Sequence, residues 1–281
     1  MIFIKTLYIE KKDKPRFYIG KGRIEKDKYE IYANIEREKN ITKIINKLIK
    51  NNVSNVVLSK DLCEDKNLVN ALKASNINIF DGRWLIKYIS IEILDYIVQQ
   101  SEIKKEQIEI AITSNEITDL TIEIIKILSK QYKRVTVVTN HIEKLKKIEE
   151  EIYQKEGILI ITSNNKKKSL LKPKIILNLD FNKEVLNTYK INEEAIIINL
   201  EGGIKINDKR FNGICINDYE IQVGREEIIW RENMRKFNTK DLLEASLYIK
   251  DTFKNIHDKI KKNKIAITAL YGLNGKIERF S

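Results

Sequence analysis

The sequence predicts an α/β protein of two domains, the second built around a parallel sheet. Between residues 108 and 200, short β-branched runs alternate with segments of different character: IEIAITSN, RVTVVTN, ILIITSNN, KIILNLDF and AIIINL. Two of the gaps between these runs carry charged sequence of helical period, and this alternation is typical of parallel β-α-β units. The chain has 281 residues with only two prolines and ten glycines, which suits two folded domains better than one core or a disordered chain.

The first domain is predicted over residues 1–102 and begins as a small β-meander. The segments IFIKTLYIE, RFYIG and DKYEIYANI alternate in polarity as strands do. From Asn40 the period changes, and ITKIINKLIKN and KNLVNALKAS predict helices that alternate with the strands VSNVVLSK and NINIFDG. This order predicts some parallel pairing here too. Residues 83–100 predict one long helix, and the polar segment SEIKKEQ marks the domain boundary.

The second domain is predicted over residues 107–224. Its first helix, ITDLTIEIIKILSKQY, has Thr118 or Asn115 as the candidate N-cap, and its second, HIEKLKKIEEEIYQKEG, ends at Gly157. Pro173 suits the entry to a strand. The turn-rich stretch after the fifth strand predicts hairpins around residues 207–208 and 212–213.

A terminal segment is predicted over residues 225–281. Residues 226–262 have helical sequence with a break near Asn238, and IAITALYGLNGKI predicts a strand pair about Asn274-Gly275. A long terminal helix of this kind is a candidate for self-association, so one hypothesis is an interaction protein that dimerises through residues 225–262.

Composition excludes several classes of protein. The N-terminus lacks the apolar core of a signal peptide, and no window approaches the length of a membrane span, so we expect a cytoplasmic protein without a membrane partner. Cys63 and Cys215 are too few for a disulfide framework. With only His141 and His257 available, a zinc site of Cys and His ligands is not expected.

The chain is basic, with 52 Lys and Arg against 40 Asp and Glu, a net charge of +12. Such a charge attracts nucleic acid, and the basic N-terminal meander and the segment from Lys166 to Lys174 are the candidate surfaces. The alternative is that an AT-rich genome enriches lysine without any partner. The tetrapeptide at residues 18–21, Tyr-Ile-Gly-Lys, also resembles half of the GIY-YIG nuclease signature, with Arg23 at a plausible distance, although the upstream strand has no matching glycine.

In an open parallel sheet, ligands bind beyond the carboxyl ends of the strands. Small polar residues follow the predicted strands there, and helix N-termini add free amide groups that favour phosphate. The candidate binding residues are Thr113, Ser114, Asn115, Asn140, His141, Ser163, Asn164 and Asp180, with Glu201 after the fifth strand.

One stretch carries a family resemblance. The segment RVTVVTNHIEKLKKI resembles the second strand and helix of the NADP-binding Rossmann domain of shikimate dehydrogenase and glutamyl-tRNA reductase. The resemblance implies that Asn140 and His141 contact the adenosine phosphate and that residues 113–115 contact the pyrophosphate of NADP. The family's glycine-rich turn is replaced by TSNEIT, which contains no glycine, and its arginine by His141.

The leading interpretation is therefore a Rossmann-like C-terminal domain with a degenerate nucleotide site, which binds a small-molecule or protein ligand in the sheet crevice rather than catalysing hydride transfer. The alternatives are an NADP-dependent oxidoreductase and a nucleic-acid-associated factor.

Overall fold

A computed structural model describes residues 6–12, 19–24, 27–33, 35, 37–101, 107–224, 235–248 and 251–280. The chain divides into two compact units: unit 1 is Met1–Trp84 with Arg225–Ile249, and unit 2 is Leu85–Gly224 with Lys250–Ser281. This division differs from the predicted ranges 1–102, 107–224 and 225–281. The difference has two causes. The segment around Phe237 and Leu242 packs on the core of unit 1, and residues 90–100 contact strands of unit 2.

The sheet of unit 1 has five strands in the order β2-β3-β1-β4-β5. They are β1 (Thr6–Lys12), β2 (Ile19–Ile24), β3 (Asp27–Ala33), β4 (Asn55–Leu58) and β5 (Asn78–Phe80). The predicted meander is wrong, because β1 pairs in parallel with β3 and only β2 and β3 are antiparallel. Alternating polarity predicts a strand but not its partner or direction. The predicted parallel pairing is confirmed, since β4 is parallel to both β1 and β5.

Helices cover both faces of this sheet. They are α1 (Glu38–Lys50), α2 (Lys60–Cys63), α3 (Lys66–Ala74) and α9 (Thr239–Leu247). Of the apolar residues predicted on one face of α1, Ile41, Ile44, Ile45 and Leu48 are buried together with Val56 and Leu58 of β4, whereas Ile49 is exposed. Val57, which lies between those two residues, packs instead with Leu242 of α9. Because neighbouring strand residues point to opposite faces, α1 and α9 lie on opposite sides of the sheet.

The helix predicted over residues 83–100 is two helices, α4 (Arg83–Tyr88) and α5 (Ser90–Gln100). The break falls at Ile89, whose φ of −106° and ψ of 11° are not helical. Ser90 Oγ donates a hydrogen bond to Lys87 O at 3.1 Å. A local side-chain bond of this kind competes with the backbone hydrogen bond that a continuous helix would make.

Unit 2 contains a sheet of six parallel strands in the order β11-β10-β9-β6-β7-β8. They are β6 (Glu109–Thr113), β7 (Arg134–Val138), β8 (Ile161–Ser163), β9 (Ile175–Asn178), β10 (Ile196–Asn199) and β11 (Ile214–Ile216). The five predicted strands are confirmed. Numbered from β6 and read from the β8 edge, the order is 3-2-1-4-5-6, which is the Rossmann order. Successive strands are added towards one edge from β6 to β8 and towards the other edge from β9 to β11, so the strand order reverses between β6 and β9.

The hairpins predicted around residues 207–208 and 212–213 are wrong. The chain after Gly213 joins the main sheet, because Ile214 N donates to Ala195 O at 3.0 Å and β11 continues in parallel beside β10. A β-carbon at Gly213 would collide with Ala195 O and with the Phe211 ring. This close approach, rather than a turn, is what the glycine permits.

On one face of the sheet, α6 (Asp119–Gln131) packs on β7, and α10 (Phe253–Lys262) packs against α6. Helix α5 packs on β10, and α7 (Ile142–Glu156) packs beside β8. The predicted ends of α6 and α7 are confirmed. Thr118 Oγ1 caps α6 by accepting from Thr121 N at 3.3 Å, and Gly157 ends α7 with a left-handed φ of 67°.

The opposite face is covered by short connections and by α8 (Lys183–Leu186). Leu170, Phe181 and Tyr189 are buried there with the sheet residues Ala111 and Ile176. The connection from β8 to β9 contains no helix. It consists of turns and a bridge in which Leu170 pairs with Ile191, and Pro173 lies at the entry to β9 as predicted.

A small antiparallel sheet completes unit 2: β12 (Asp218–Val223), β13 (Ile265–Gly272) and β14 (Gly275–Lys276). It confirms the predicted strand pair about Asn274-Gly275, and α9 begins at Thr239, next to the predicted break. Residues 102–106, 225–234 and 249–250, and the side chains of the tetrapeptide at 18–21 and of Arg23, lie outside the described part of the chain. The predictions of the boundary segment, the first half of the terminal helix and the GIY-YIG-like motif fall on them.

Candidate ligand crevice at the carboxyl edge of the parallel sheet

A cavity of about 320 Å³ lies in unit 2 beyond the carboxyl ends of β6, β9 and β10. We call it the sheet crevice. It includes the reversal point between β6 and β9, where doubly wound sheets bind their ligands. Its polar lining contains five carboxylates and one ammonium group: Glu116, Asp119, Asp180, Glu201, Asp251 and Lys87.

The loop after β6 is held by Asp180, which follows β9. Asn115 N donates to Asp180 Oδ1 at 2.7 Å, and Glu116 N donates to Asp180 Oδ2 at 2.6 Å. Ser114 Oγ lies 2.9 Å from the same Oδ2. The two amide groups that follow the first strand of the sheet are therefore engaged by a carboxylate of the chain itself.

A chain of buried amide side chains runs beneath this loop and crosses the sheet, and we call it the asparagine chain. Thr113 Oγ1 donates to Asn178 Oδ1 at 2.6 Å, and Asn178 Nδ2 donates to Asn199 Oδ1 at 2.8 Å. Asn199 Nδ2 then donates to Asn217 Oδ1 at 3.2 Å. All four side chains are buried, and Asn178 also bonds both backbone groups of Phe181. The asparagine chain thus fixes the carboxyl ends of β6, β9 and β10 relative to one another.

Sequence reasoning missed Asn178, Asn199 and Asn217. A signal for the first two was present, since Asn178-Leu179-Asp180 and Asn199-Leu200-Glu201 repeat an Asn-Leu-acid triplet at the ends of consecutive strands. A polar residue at the same position of two buried strands indicates pairing across the sheet.

The predicted site residues fall into two groups. Thr113, Ser114, Asn115 and Asp180 are brought together by the bonds above, and Asn140 joins them because its N donates to Asn115 Oδ1 at 3.0 Å. Asn140 Oδ1 accepts from Tyr189 OH at 3.2 Å.

The second group lies elsewhere. His141 is exposed and precedes α7, with its backbone N donating to Thr139 Oγ1 at 3.0 Å. Ser163 Oγ bonds Ser169 Oγ at 2.7 Å, and Asn164 is exposed. Of all the predicted site residues, Asp180 and Glu201 line the sheet crevice. The other predicted residues do not, namely Thr113, Ser114, Asn115, Asn140, His141, Ser163 and Asn164.

Most carboxylates of the sheet crevice have partners within the chain. Glu201 pairs with Lys87 at 3.4 Å, and Asp119 Oδ2 accepts from Phe253 N at 3.2 Å. Hydrogen bonds from the Asn255 side chain and the Thr252 backbone, together with Lys259, hold the pKa of Asp251 below its usual value. The crevice therefore combines a net negative charge with an ordered lining.

An aromatic stack forms one wall. The rings of Tyr88 and Phe253 are stacked at 5.7 Å, and His257 stacks behind Phe253 at 5.3 Å. His257 Nδ1 lies 3.4 Å from Tyr88 O and 3.5 Å from Glu92 Oε1. Burial raises the pKa of Glu92 to about 7 and lowers the pKa of His257. Both pKa shifts arise because burial behind this wall disfavours the charged form of each side chain.

In the described part of the chain, no group of three or more His, Cys, Asp or Glu side chains is placed to hold a metal ion. None of the helices described there combines the length and apolar character that crossing a membrane requires.

The strand order and the crevice define unit 2 as a Rossmann-like α/β domain. No family profile and no curated protein sequence matches the chain. It is similar to solved structures of D-mandelate dehydrogenase from Rhodotorula graminis (9% identity, 99% of each chain, TM-score 0.39) and dipicolinate synthase A chain from Bacillus subtilis (10%, 75% of this chain and 65% of that one, 0.37). It is also similar to L-tryptophan dehydrogenase from Nostoc punctiforme (10%, 85% and 72%, 0.33). At these identities and TM-scores, the similarity does not indicate an activity for this chain.

Proposed function

We propose that unit 2 is a ligand-binding Rossmann-like domain whose dinucleotide site is degenerate, and that it binds a small-molecule or protein ligand in the sheet crevice. The observation that carries this proposal is the bonding of Asp180 to the amides of Asn115 and Glu116. Amides at this position, between the first strand and its helix, are the ones that bind a pyrophosphate in dinucleotide domains.

The Asp180 carboxylate competes directly with a ligand phosphate. A phosphate at the same amides would lie beside a fixed negative charge, and two like charges about 4 Å apart repel by about 4 kcal/mol near a protein surface. Displacing the carboxylate instead would break three hydrogen bonds that hold the loop. Either route weakens pyrophosphate binding.

The loop sequence adds a second obstacle. TSNEIT has no glycine, so a β-carbon stands at every position where dinucleotide domains bring the backbone close to the phosphate. The side chains of Ser114 and Asn115 are engaged within the chain, on Asp180 and on Asn140 N. The residues of this loop therefore do not fit the pyrophosphate of NADP. Hydride transfer requires a bound nicotinamide cofactor, so the proposed function is ligand binding without hydride transfer.

Isothermal titration with NADP(H) and NAD(H) tests the proposal. We expect no saturable binding by the wild-type chain, and weak but measurable NADPH binding by Asp180→Asn, which keeps the side-chain shape and removes the charge. Glu201→Gln is the matched control, because it removes a crevice carboxylate that does not bond the loop amides, and it should behave as the wild type.

Saturable micromolar binding of NADP(H) by the wild-type chain would contradict the proposal and favour the NADP-dependent oxidoreductase. Circular dichroism establishes that each variant is folded. Should Asp180→Asn fail to fold, the wild-type titration still decides the question.

A further inference from the structure

Six exposed lysines of unit 2 belong to two segments that backbone hydrogen bonds join, and none of the six lines the sheet crevice. Five belong to the connection from β8 to β9, and the sixth comes from the segment 190–192, whose backbone bonds to that connection: Lys166, Lys167, Lys168, Lys172, Lys174 and Lys190. We call this set the basic surface.

Backbone hydrogen bonds join the two segments that carry the basic surface. Lys190 N donates to Lys166 O at 2.7 Å, and Asn192 N donates to Leu170 O at 2.8 Å. Asn165 Oδ1 accepts from the amides of Lys167 and Lys168, which holds these two lysines on one turn. Leu170 is fully buried in the core beneath and anchors the connection from β8 to β9. The lysines therefore project from a fixed backbone.

The connection from β8 to β9 contributes only positive charge to the basic surface, and the carboxylates nearest to Lys190 along the chain are Glu193, which pairs with Arg210 at 3.4 Å, and Glu194. Between Glu156 and Asp180 the chain has no carboxylate side chain, and Asp180 is bonded to the loop after β6. Within the described residues, none of the six lysines forms an ion pair, whereas lysines 47, 87, 126, 146, 155 and 259 do.

A lysine-rich genome alone does not account for this distribution. Helix α7 contains lysines 144, 146, 147 and 155 together with glutamates 143, 149, 150, 151 and 156, so positive and negative charges are mixed there. The basic surface instead carries a single sign over consecutive positions, which raises the local positive potential.

We propose that the basic surface binds the phosphate backbone of nucleic acid without reading the bases. Lysine ammonium groups bind phosphates as point charges and release condensed counterions. The nearby aromatic rings, Phe181 and Tyr189, are buried and cannot stack on bases. Among the described residues of the two segments, Leu171 is the exposed apolar side chain, 50% exposed, which is too little to anchor a protein in a bilayer.

Fluorescence anisotropy with a short DNA duplex tests this proposal on the full chain. We expect binding at low salt that weakens steeply as salt rises. The triple variant Lys166→Gln, Lys167→Gln, Lys168→Gln removes three phosphate contacts, so its plot of log affinity against log salt should be flatter by about 3. Between about 50 and 200 mM salt, the wild type should then lose about 40-fold more affinity than the variant.

Two further variants separate charge from structure. Replacing the same three lysines by arginine keeps the charge and should keep the slope. Replacing Lys144, Lys147 and Lys155 of α7 by glutamine removes an equal charge from the mixed-charge helix, and it should leave the slope close to that of the wild type.

Three results would overturn the proposal. The first is no duplex binding at low salt, and the second is an equal loss of slope in the two glutamine triples. The third is binding to phosphatidylserine vesicles that is tighter than duplex binding and is lost in the Lys166–Lys168 triple, because the partner would then be an anionic membrane. The sheet crevice takes no part in these measurements.

Discussion

Replacing Asn178 by alanine should destabilise unit 2 more than any exposed substitution. Asn178 is fully buried and makes four hydrogen bonds, with Thr113 Oγ1, Asn199 Oδ1, Phe181 N and Phe181 O. Alanine can make none of them. The variant therefore leaves four buried polar groups without these partners.

The magnitude follows from the groups left unpaired. Phe181 N–H and C=O lose these bonds to Asn178, and each unsatisfied buried group costs about 1–3 kcal/mol. The Thr113 hydroxyl and the Asn199 amide oxygen also lose a bond. We therefore expect the free energy of unfolding to fall by about 4 kcal/mol, at the upper end of single-substitution effects.

Urea unfolding followed by far-ultraviolet circular dichroism measures this loss, which should lower the midpoint by about 2 M. Asn164→Ala is the matched control, since Asn164 is exposed and should change stability by less than about 0.5 kcal/mol. If Asn178→Ala were as stable as Asn164→Ala, the asparagine chain would contribute little to the sheet and the reasoning would be refuted.

Two other predictions concern titratable groups. Burial raises the pKa of Glu92 from 4.5 to about 7, so its contribution to stability is full below about pH 4.5 and is lost as the pH rises through about 7. Glu92→Gln should thus gain up to about 3 kcal/mol over the wild type between those limits in pH-dependent urea unfolding, while the exposed Glu143→Gln shows no such trend. Burial also raises the pKa of Cys63 to about 12 and that of Cys215 to about 11. Since the thiolate is the reactive form, both should react with Ellman's reagent about 100-fold slower or more in the native chain than in urea, and fast native labelling of either would contradict this.

The sequence predicted the elements of unit 2 well because their signals are local. A buried parallel strand must be a short apolar run, and the ends of α6 and α7 depend on one cap residue each, Thr118 and Gly157. The direction of β1 and the partner of β11 could not be read in this way. Both depend on which strand lies alongside, and neither alternation nor an Asn-Gly pair contains that information.

The candidate site was predicted in part for a similar reason. Strand ends could be located, so Ser114, Asn115 and Asp180 were named together. Their bonding to each other could not be predicted, because it requires the β6–β9 adjacency that the strand order creates. His141 was named as a residue that follows a strand and again from the resemblance. It is exposed and does not line the crevice, because a position after a strand does not determine where the side chain points.

The loop after β6, which contains no glycine, and Asp180 belong to one arrangement. A glycine-rich turn leaves its amides for a ligand phosphate, and the loop then depends on that ligand for its hydrogen bonds. In this chain, Asp180 bonds the amides of Asn115 and Glu116, and the Asn115 side chain bonds Asn140 N in turn. The loop thereby joins the ends of β6, β7 and β9 through bonds within the chain. A ligand entering the sheet crevice would therefore meet a loop whose hydrogen bonds are already made, and its affinity would have to come from other contacts.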